Sequence, residues 1–199
     1  MRKRTKAENA DIAVGDAVAP RQDSLIVRAA GQVSELADQP PLITICAATF
    51  AIGLILGKER IARAGGRMLA AELLATQMKS MIKHRIDRTR PHVRADGGRY
   101  KAGKGSGTQD SALNSFPSGH TAGAVAVARA FVRDYPDHAA EAYLTAGAVG
   151  AIQIPRGSHY PSDVAAGLMV GLAAEAGVFL AERLIGRIAG GGRDRFGAG

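Results

Sequence analysis

From Gln39 to Gly57 the chain runs 19 residues without a charged side chain. A helix of that length is long enough to cross the hydrocarbon of a bilayer, and an apolar run of this kind must end up against lipid or inside a protein core. Pro40 and Pro41 shorten the usable stretch, and the central helix of a soluble bundle fits the same pattern. We favour the bilayer-spanning reading.

Four further stretches have helical character: Arg67 to Ile86, Gly119 to Val132, Ala139 to Ile154 and Pro161 to Ile185. Their charge-free runs are shorter, and a mean hydropathy of -0.02 is low for a polytopic protein. Close packing is nevertheless written into them. Gly53 with Gly57, and Gly167 with Gly171, have the spacing that lets helix backbones approach. In the second helix Glu72, Thr76, Lys79 and Lys83 share one face, and a polar stripe on an otherwise apolar helix points inward, at partners or at a site. The fold expected is all-α: a membrane-embedded helical bundle with about five main helices and a polar Gly-rich loop.

The predicted organisation has three parts. Residues 1–40 are a polar N-terminal segment containing a possible short amphipathic helix from Ser24 to Leu36, with Leu25, Ile26, Ala29, Val33 and Leu36 at helical spacing. Residues 41–187 form the helical domain, and 188–199 a flexible Gly/Arg tail. The first apolar core begins at Leu42, too late for a typical secretory signal, so the N-terminus is expected to be retained. One cysteine, Cys46, excludes an internal disulfide framework and a Cys-based zinc cluster.

With 26 Lys+Arg against 18 Asp+Glu the chain carries +8, which favours anionic partners. Nucleic acid is not expected among them, because the basic region from Lys58 to Lys104 has a single aromatic, Tyr100, and no stacking platform. The loop from His92 to Phe116 includes Gly98, Gly103 and Lys104, close to a phosphate-binding glycine motif. Gly105 stands where that motif needs a hydroxyl, so a flexible surface loop or lid is the better reading.

Three short groups explain the charge. Lys83 precedes Arg90 and Pro91; Pro117, Ser118, Gly119 and His120 follow; His159 and Asp163 come last. Pro91 should end the second helix near Arg90, Ser118 is a good N-cap for the third, and Pro161 suits the first turn of the fifth. If successive helices run antiparallel, all three groups meet at one end of the bundle. The chemistry available there is phosphoryl transfer. Lys83, Arg90 and Arg156 would clamp phosphate oxygens, and the backbone at Ser118 and Gly119 would offer N–H groups at a helix start. His159 would attack phosphorus, Asp163 would orient it, and His120 would protonate the departing oxygen. No carboxylate cluster suggests a metal, so no metal or cofactor is expected, and the cations spread the charge instead.

At these residues the sequence resembles the type 2 phosphatidic acid phosphatase superfamily, whose relatives include bacterial acid phosphatases and vanadium haloperoxidases. Lys83, Arg90 and Pro91 match its first motif, Pro117 to His120 the second, and His159 with Asp163 the end of the third; the likeness spans Arg67 to about Leu184. It implies a two-step phosphatase with a phosphohistidine on His159 and His120 as the acid. Lys83, Arg90, Ser118 and Gly119 would bind the phosphate. The implied substrate is a lipid phosphate or diphosphate such as phosphatidate, phosphatidylglycerol phosphate or a polyprenyl phosphate. The implied place is the cell membrane, multi-pass, with the site facing away from the cytoplasm, and oligomeric state is left open. The basic turn at Lys58, Arg60, Arg63 and Arg67 marks the cytoplasmic side.

One position departs from the third motif. Gln153 stands where the family has an Arg, six residues before the nucleophilic His, while Arg156 lies three before it. A vanadate-dependent haloperoxidase and a weakened lipid-binding or phosphate-binding membrane protein are the alternatives.

Overall fold

In the computed structural model, which describes residues 4–108 and 110–196, the apolar run becomes helix α3 (Gln39–Ile55). Pro40 and Pro41 lie in its first turn, where a missing N–H leaves no bond unmade. Four shorter elements come before it: the α-helices α1 (Lys6–Val18) and α2 (Leu25–Ser34), each followed by a single 3-10 turn, Ala19–Arg21 and Glu35–Ala37. After α3 the chain reverses at Gly57, whose φ of 63° suits a residue without a Cβ, and enters α4 (Glu59–Lys83). The two helices cross backbone to backbone. A Cβ on Gly53 would stand 2.2 Å from the Ala62 nitrogen, and one on Gly65 2.4 Å from that of Phe50. Of the predicted pair, Gly53 therefore makes the helix contact and Gly57 makes the turn.

Helix α6 (Gly119–Val132) is the centre of the bundle and packs on α4, α7 (Ala139–Ile152) and α8 (Pro161–Phe196). Gly167 and Gly171 bring α8 against the Ser118 and Ala122 carbonyls of α6, as the small-residue spacing predicts. The core is accordingly built of small side chains, including Ala71, Ala75, Ala126, Ala130 and Ala174, with Leu42, Cys46 and Met68 filling between helices. Glu72 of the polar stripe is buried and faces inward onto Gly123.

The described residues hold eight α-helices instead of about five. The five main helices predicted are α3, α4, α6, α7 and α8, and α2 is the short helix expected between Ser24 and Leu36; α1 and the short α5 (Pro91–Ala95) are added beside the site. Helix α1 opens with a capping box, the Glu8 N–H donating to Thr5 Oγ1 at 3.2 Å and the Thr5 N–H to Glu8 Oε2 at 2.7 Å. Ser24 caps α2, whose Leu25, Ile26 and Val33 are exposed, as is Leu36 in the turn that follows, while Val27, Gly31 and Ser34 face the bundle. Helix α4 starts eight residues before Arg67 and stops at Lys83, not near Arg90.

The chain then goes extended. Ile86–Arg88 (β1) pairs antiparallel with Ala102–Lys104 (β2), with Ile86 opposite Lys104. Buried Asp87 organises this ribbon, accepting from Lys101 Nζ at 2.7 Å, Ser106 Oγ at 2.9 Å and the Ser106 N–H at 3.1 Å. The all-α expectation is thus corrected by one small sheet between α4 and α6. Three-residue strands are too short to show a periodicity, and the ribbon is held by a side chain's hydrogen bonds.

At the end of the bundle away from these loops, Asp134 pairs with Arg63 at 2.7 Å and Arg67 at 2.9 Å, and Glu175 takes Arg129 and Arg133. By length and composition, Pro161–Ile188 is apolar enough to cross a membrane. Leu25–Ala37 and Gln39–Ile55, bent by 53°, pass the same test as a pair, whereas the 17 residues of α3 alone fall short of it.

Candidate active site

Four segments converge where α4 ends and α6 and α8 begin. Ser118 is buried at the N-cap of α6, its Oγ accepting from the Thr121 hydroxyl at 2.9 Å. Its N–H donates to the Asp163 carbonyl at 3.0 Å, so this amide is committed to holding α8 on α6. Among the described residues no group accepts from the Gly119 N–H, which leaves it as a free donor at the positive end of the helix. The Lys79 ammonium lies beside Gly119, 3.0 Å from where a Cβ would be. A side chain at 119 would push this cation aside.

His159 precedes α8 and is 2% exposed. Its Nδ1 lies 2.6 Å from the Ser115 carbonyl, which fixes the proton on Nδ1 and leaves the Nε2 lone pair free. Asp163 Oδ2 is 3.8 Å from that nitrogen, beyond hydrogen-bonding reach. Asp163 orients the ring indirectly. Its carboxylate takes the Ser115 hydroxyl at 2.5 Å, the Tyr160 N–H at 2.8 Å and Arg88 Nη1 at 2.5 Å, thereby fixing the residue whose carbonyl holds His159. Burial, opposed by Asp163 and aided by the charges of Arg90 and Lys83, pushes His159 down to about 4, so the ring is neutral at pH 7.

Lys83 reaches the same strand of loop, donating to the Asn114 carbonyl at 2.5 Å, next to the carbonyl that holds His159. Arg90 is placed by its Nε on the Ser111 carbonyl at 2.8 Å and by its N–H on that of Ala112 at 3.0 Å. His120 sits in the first turn of α6 with Nε2 buried, 3.8 Å from Glu35 Oε1. Arg156 bonds Glu35 at 2.6 Å and Ser34 Oγ at 2.9 Å. Gln153 is fully buried and donates to the Ser34 hydroxyl at 3.2 Å, with its Oε1 unpartnered.

Several residues here have no counterpart in the sequence-based set. Arg88 is 5% exposed and bridges Asp163 and Asp11 of α1, while Ser162 also bonds Asp11, so α1 is tied to the carboxylate beside His159. Arg88 stands two residues before Arg90, and in an extended segment such alternation puts both on one side; the signal is visible only once the strand is known. Ser115, Ser34 and Glu35 carry no sequence signal.

A neutral buried imidazole, a second imidazole, four cations and an open helix start gathered at one end of a bundle make a site suited to a tetrahedral anion. The chain belongs to the PAP2 superfamily, whose model matches residues 64–185. It is 36% identical over 94 residues to a lipid A 1-phosphatase of Rhizobium johnstonii, covering 47% of this chain and 38% of that one. A lipid A 1-phosphatase of Rhizobium etli is 32% identical over 107 residues, 54% and 45% of the two chains. The chain thus matches less than half the length of these curated relatives. Two solved structures share the fold. The first transmembrane PAP2 type phosphatidylglycerolphosphate phosphatase from Bacillus subtilis has a TM-score of 0.63 at 20% identity, over 92% of this chain and 89% of that one. LpxE of Aquifex aeolicus has a TM-score of 0.59 at 19% identity, over 84% and 93%.

Proposed function

We propose that this protein is an integral-membrane phosphatase that hydrolyses a lipid phosphate or diphosphate through a phosphohistidine. The observation that carries the reading is the His159 ring, held neutral with its Nδ1 on the Ser115 carbonyl and faced by Lys83 and Arg90. Nε2 of His159 attacks phosphorus and the P–O bond to the leaving group, an ester bond in a lipid phosphate or an anhydride bond in a diphosphate, breaks as His120 gives its proton to the departing oxygen. Water then attacks phosphorus as His120 takes a proton from it, the P–N bond breaks with its electron pair returning to Nε2, and inorganic phosphate leaves with His159 restored. Lys83, Arg90, Arg156 and the Gly119 N–H hold the phosphoryl oxygens, and these cations serve where other phosphatases use a metal. Ser118 contributes by fixing the helix end.

A lipid substrate is supported by an apolar groove of about 590 Å³. It starts at Ala37 and Leu42, beside the Glu35 turn, and runs between α3, α6 and α7 past Ala124, Ala146 and Phe131. Phosphatidate, phosphatidylglycerol phosphate and polyprenyl phosphates fit such a site, and the rhizobial relatives add lipid A 1-phosphate. Membrane insertion is supported by the outer surface, where Ile52, Leu54, Ile55, Leu144, Met169 and Leu180 are each at least half exposed, while Glu72, Gln153 and Asp163 are buried. Arginines 60, 63, 67, 129 and 133 gather at the end opposite the site, and this basic cluster supports a reading with that end in the cytoplasm and the site on the far side of the cell membrane.

The test is phosphate release by detergent-purified protein with a chelator present, comparing phosphatidate, a polyprenyl diphosphate and lipid A, for wild type and His159→Ala. Release that survives chelation and disappears in the variant is expected. Equal release from both proteins would remove His159 from the mechanism.

A further inference from the structure

Arg156 lies on one face of the N-terminal helix α2 and the turn that follows it. Gly31, Ser34 and Glu35 stand at i, i+3 and i+4, the spacing that lines residues along a helix. The absence of a side chain on Gly31 makes room for the arginine stem: a Cβ there would lie 2.8 Å from Arg156 Nε and 3.0 Å from its Cδ. One step further on, Ser34 Oγ accepts from Arg156 Nη1 at 2.9 Å, and Glu35 Oε1 from Nη2 at 2.6 Å. The same Glu35 oxygen is 3.8 Å from His120 Nε2, so the guanidinium is held within one carboxylate's width of the second histidine. Ser34 also takes the amide of Gln153, which ties down the neutral residue three positions before Arg156. All three cradle residues precede residues 64–185, the part matched to the family.

We propose that Gly31, Ser34 and Glu35 form a cradle that positions Arg156 as a phosphate-binding cation of the active site, making the N-terminal helix part of the catalytic machinery. The inference rests on the phosphate site described under the proposed function. Glu35 and Ser34 act through Arg156 and are positioning residues. A long arginine side chain at the rim of a site samples many rotamers, and two hydrogen bonds on one side with a groove under its stem restrict it to the orientation that meets the anion. Glu35 uses only part of the fork, and the remaining N–H groups stay available to phosphate oxygens.

The experiment is calorimetric titration of inorganic phosphate into the full chain in detergent micelles, which reads the site without turnover. Arg156→Ala is expected to weaken phosphate binding about 10- to 100-fold, the range for one charged hydrogen-bonding partner. Glu35→Ala should weaken it about 3- to 10-fold, with Glu35→Asp recovering most of the loss. The double variant Glu35→Ala/Arg156→Ala should bind no more weakly than Arg156→Ala alone, because a cradle without its arginine has nothing to position. Gly31→Ala, which displaces the stem and removes no polar atom, is a second route to the Glu35→Ala result should that variant fold poorly. Phosphate affinity unchanged in Arg156→Ala, or a Glu35→Ala loss that persists in full without Arg156, would overturn the cradle. So would a wild type that binds no phosphate. If phosphate binds as expected but no lipid phosphate is hydrolysed, the cradle stands and the phosphatase reading falls.

Discussion

At the scale of single residues the site depends on what is buried and how it is paired. His159 is neutral because burial removes the water that would solvate an imidazolium, and the unfolded chain restores that water. Its folded value of about 4 lies below the ordinary 6.5, so stability from this group is present above about pH 6.5 and lost as pH falls toward 4. The loss amounts to about 3 kcal/mol, and thermal melts between pH 7 and pH 4 should show it in wild type and show less of it in His159→Gln. The acid limb of kcat/KM should fall in the same range, since protonated His159 has no lone pair to give. Arg88 is the second buried group on which the site depends. Replacing it by Ala leaves Asp163 and Asp11 buried without their cation, which should cost about 3 to 5 kcal/mol and most of the activity, measured by melting and phosphate release. The i, i+4 spacing of His159 and Asp163 suggests a direct bond, whereas the fold inserts Ser115 between them.

Among the elements, those whose ends are set by local chemistry were legible and those set by tertiary contact were not. Ser118 and Pro161 mark helix starts through capping and fixed φ, and α6 and α8 begin where these residues say. The end of α4 was misplaced because Pro91 only forbids helix before it and does not require helix up to it; the paired strands claim the intervening residues. Helix α1 was overlooked despite its Thr5 and Glu8 capping box, because its apolar face is narrow and it is held by Asp11 on Arg88 and by Asp16 on Arg94. The two glycines at the end of α3 separate packing from turn formation. Gly53→Ala forces a Cβ into the α4 backbone and should cost about 1 to 3 kcal/mol of stability in detergent. Gly57→Ala meets no neighbour within 4 Å and should cost about 1 kcal/mol through its positive φ alone. Equal melting temperatures for the two variants would contradict this assignment.

For the molecule as a whole, the antiparallel course of the helices puts the anion site and the arginine cluster at opposite ends. Cys46 is fully buried, so wild-type protein should resist membrane-impermeant thiol reagents. Lys58→Cys and Lys104→Cys then report the two ends separately. In intact cells labelling is expected at Cys introduced in place of Lys104 and absent at the Lys58 position until the membrane is opened; the reverse pattern would invert the proposed topology. Sequence alone determined the main helices and the one end of the bundle at which His159, His120, Lys83 and Arg90 come together, because caps, prolines, apolar periodicity and helix parity are local or additive. Tertiary structure alone decided that Ser115 holds His159, that Ser118 spends its amide on α8, and that α1 and α2 bring Asp11, Ser34 and Glu35 to the site. Those bonds join residues that are mostly more than 40 positions apart, and the partner of a buried charge is set by which atoms the packed backbone brings within about 3 Å, a distance that sequence spacing does not encode.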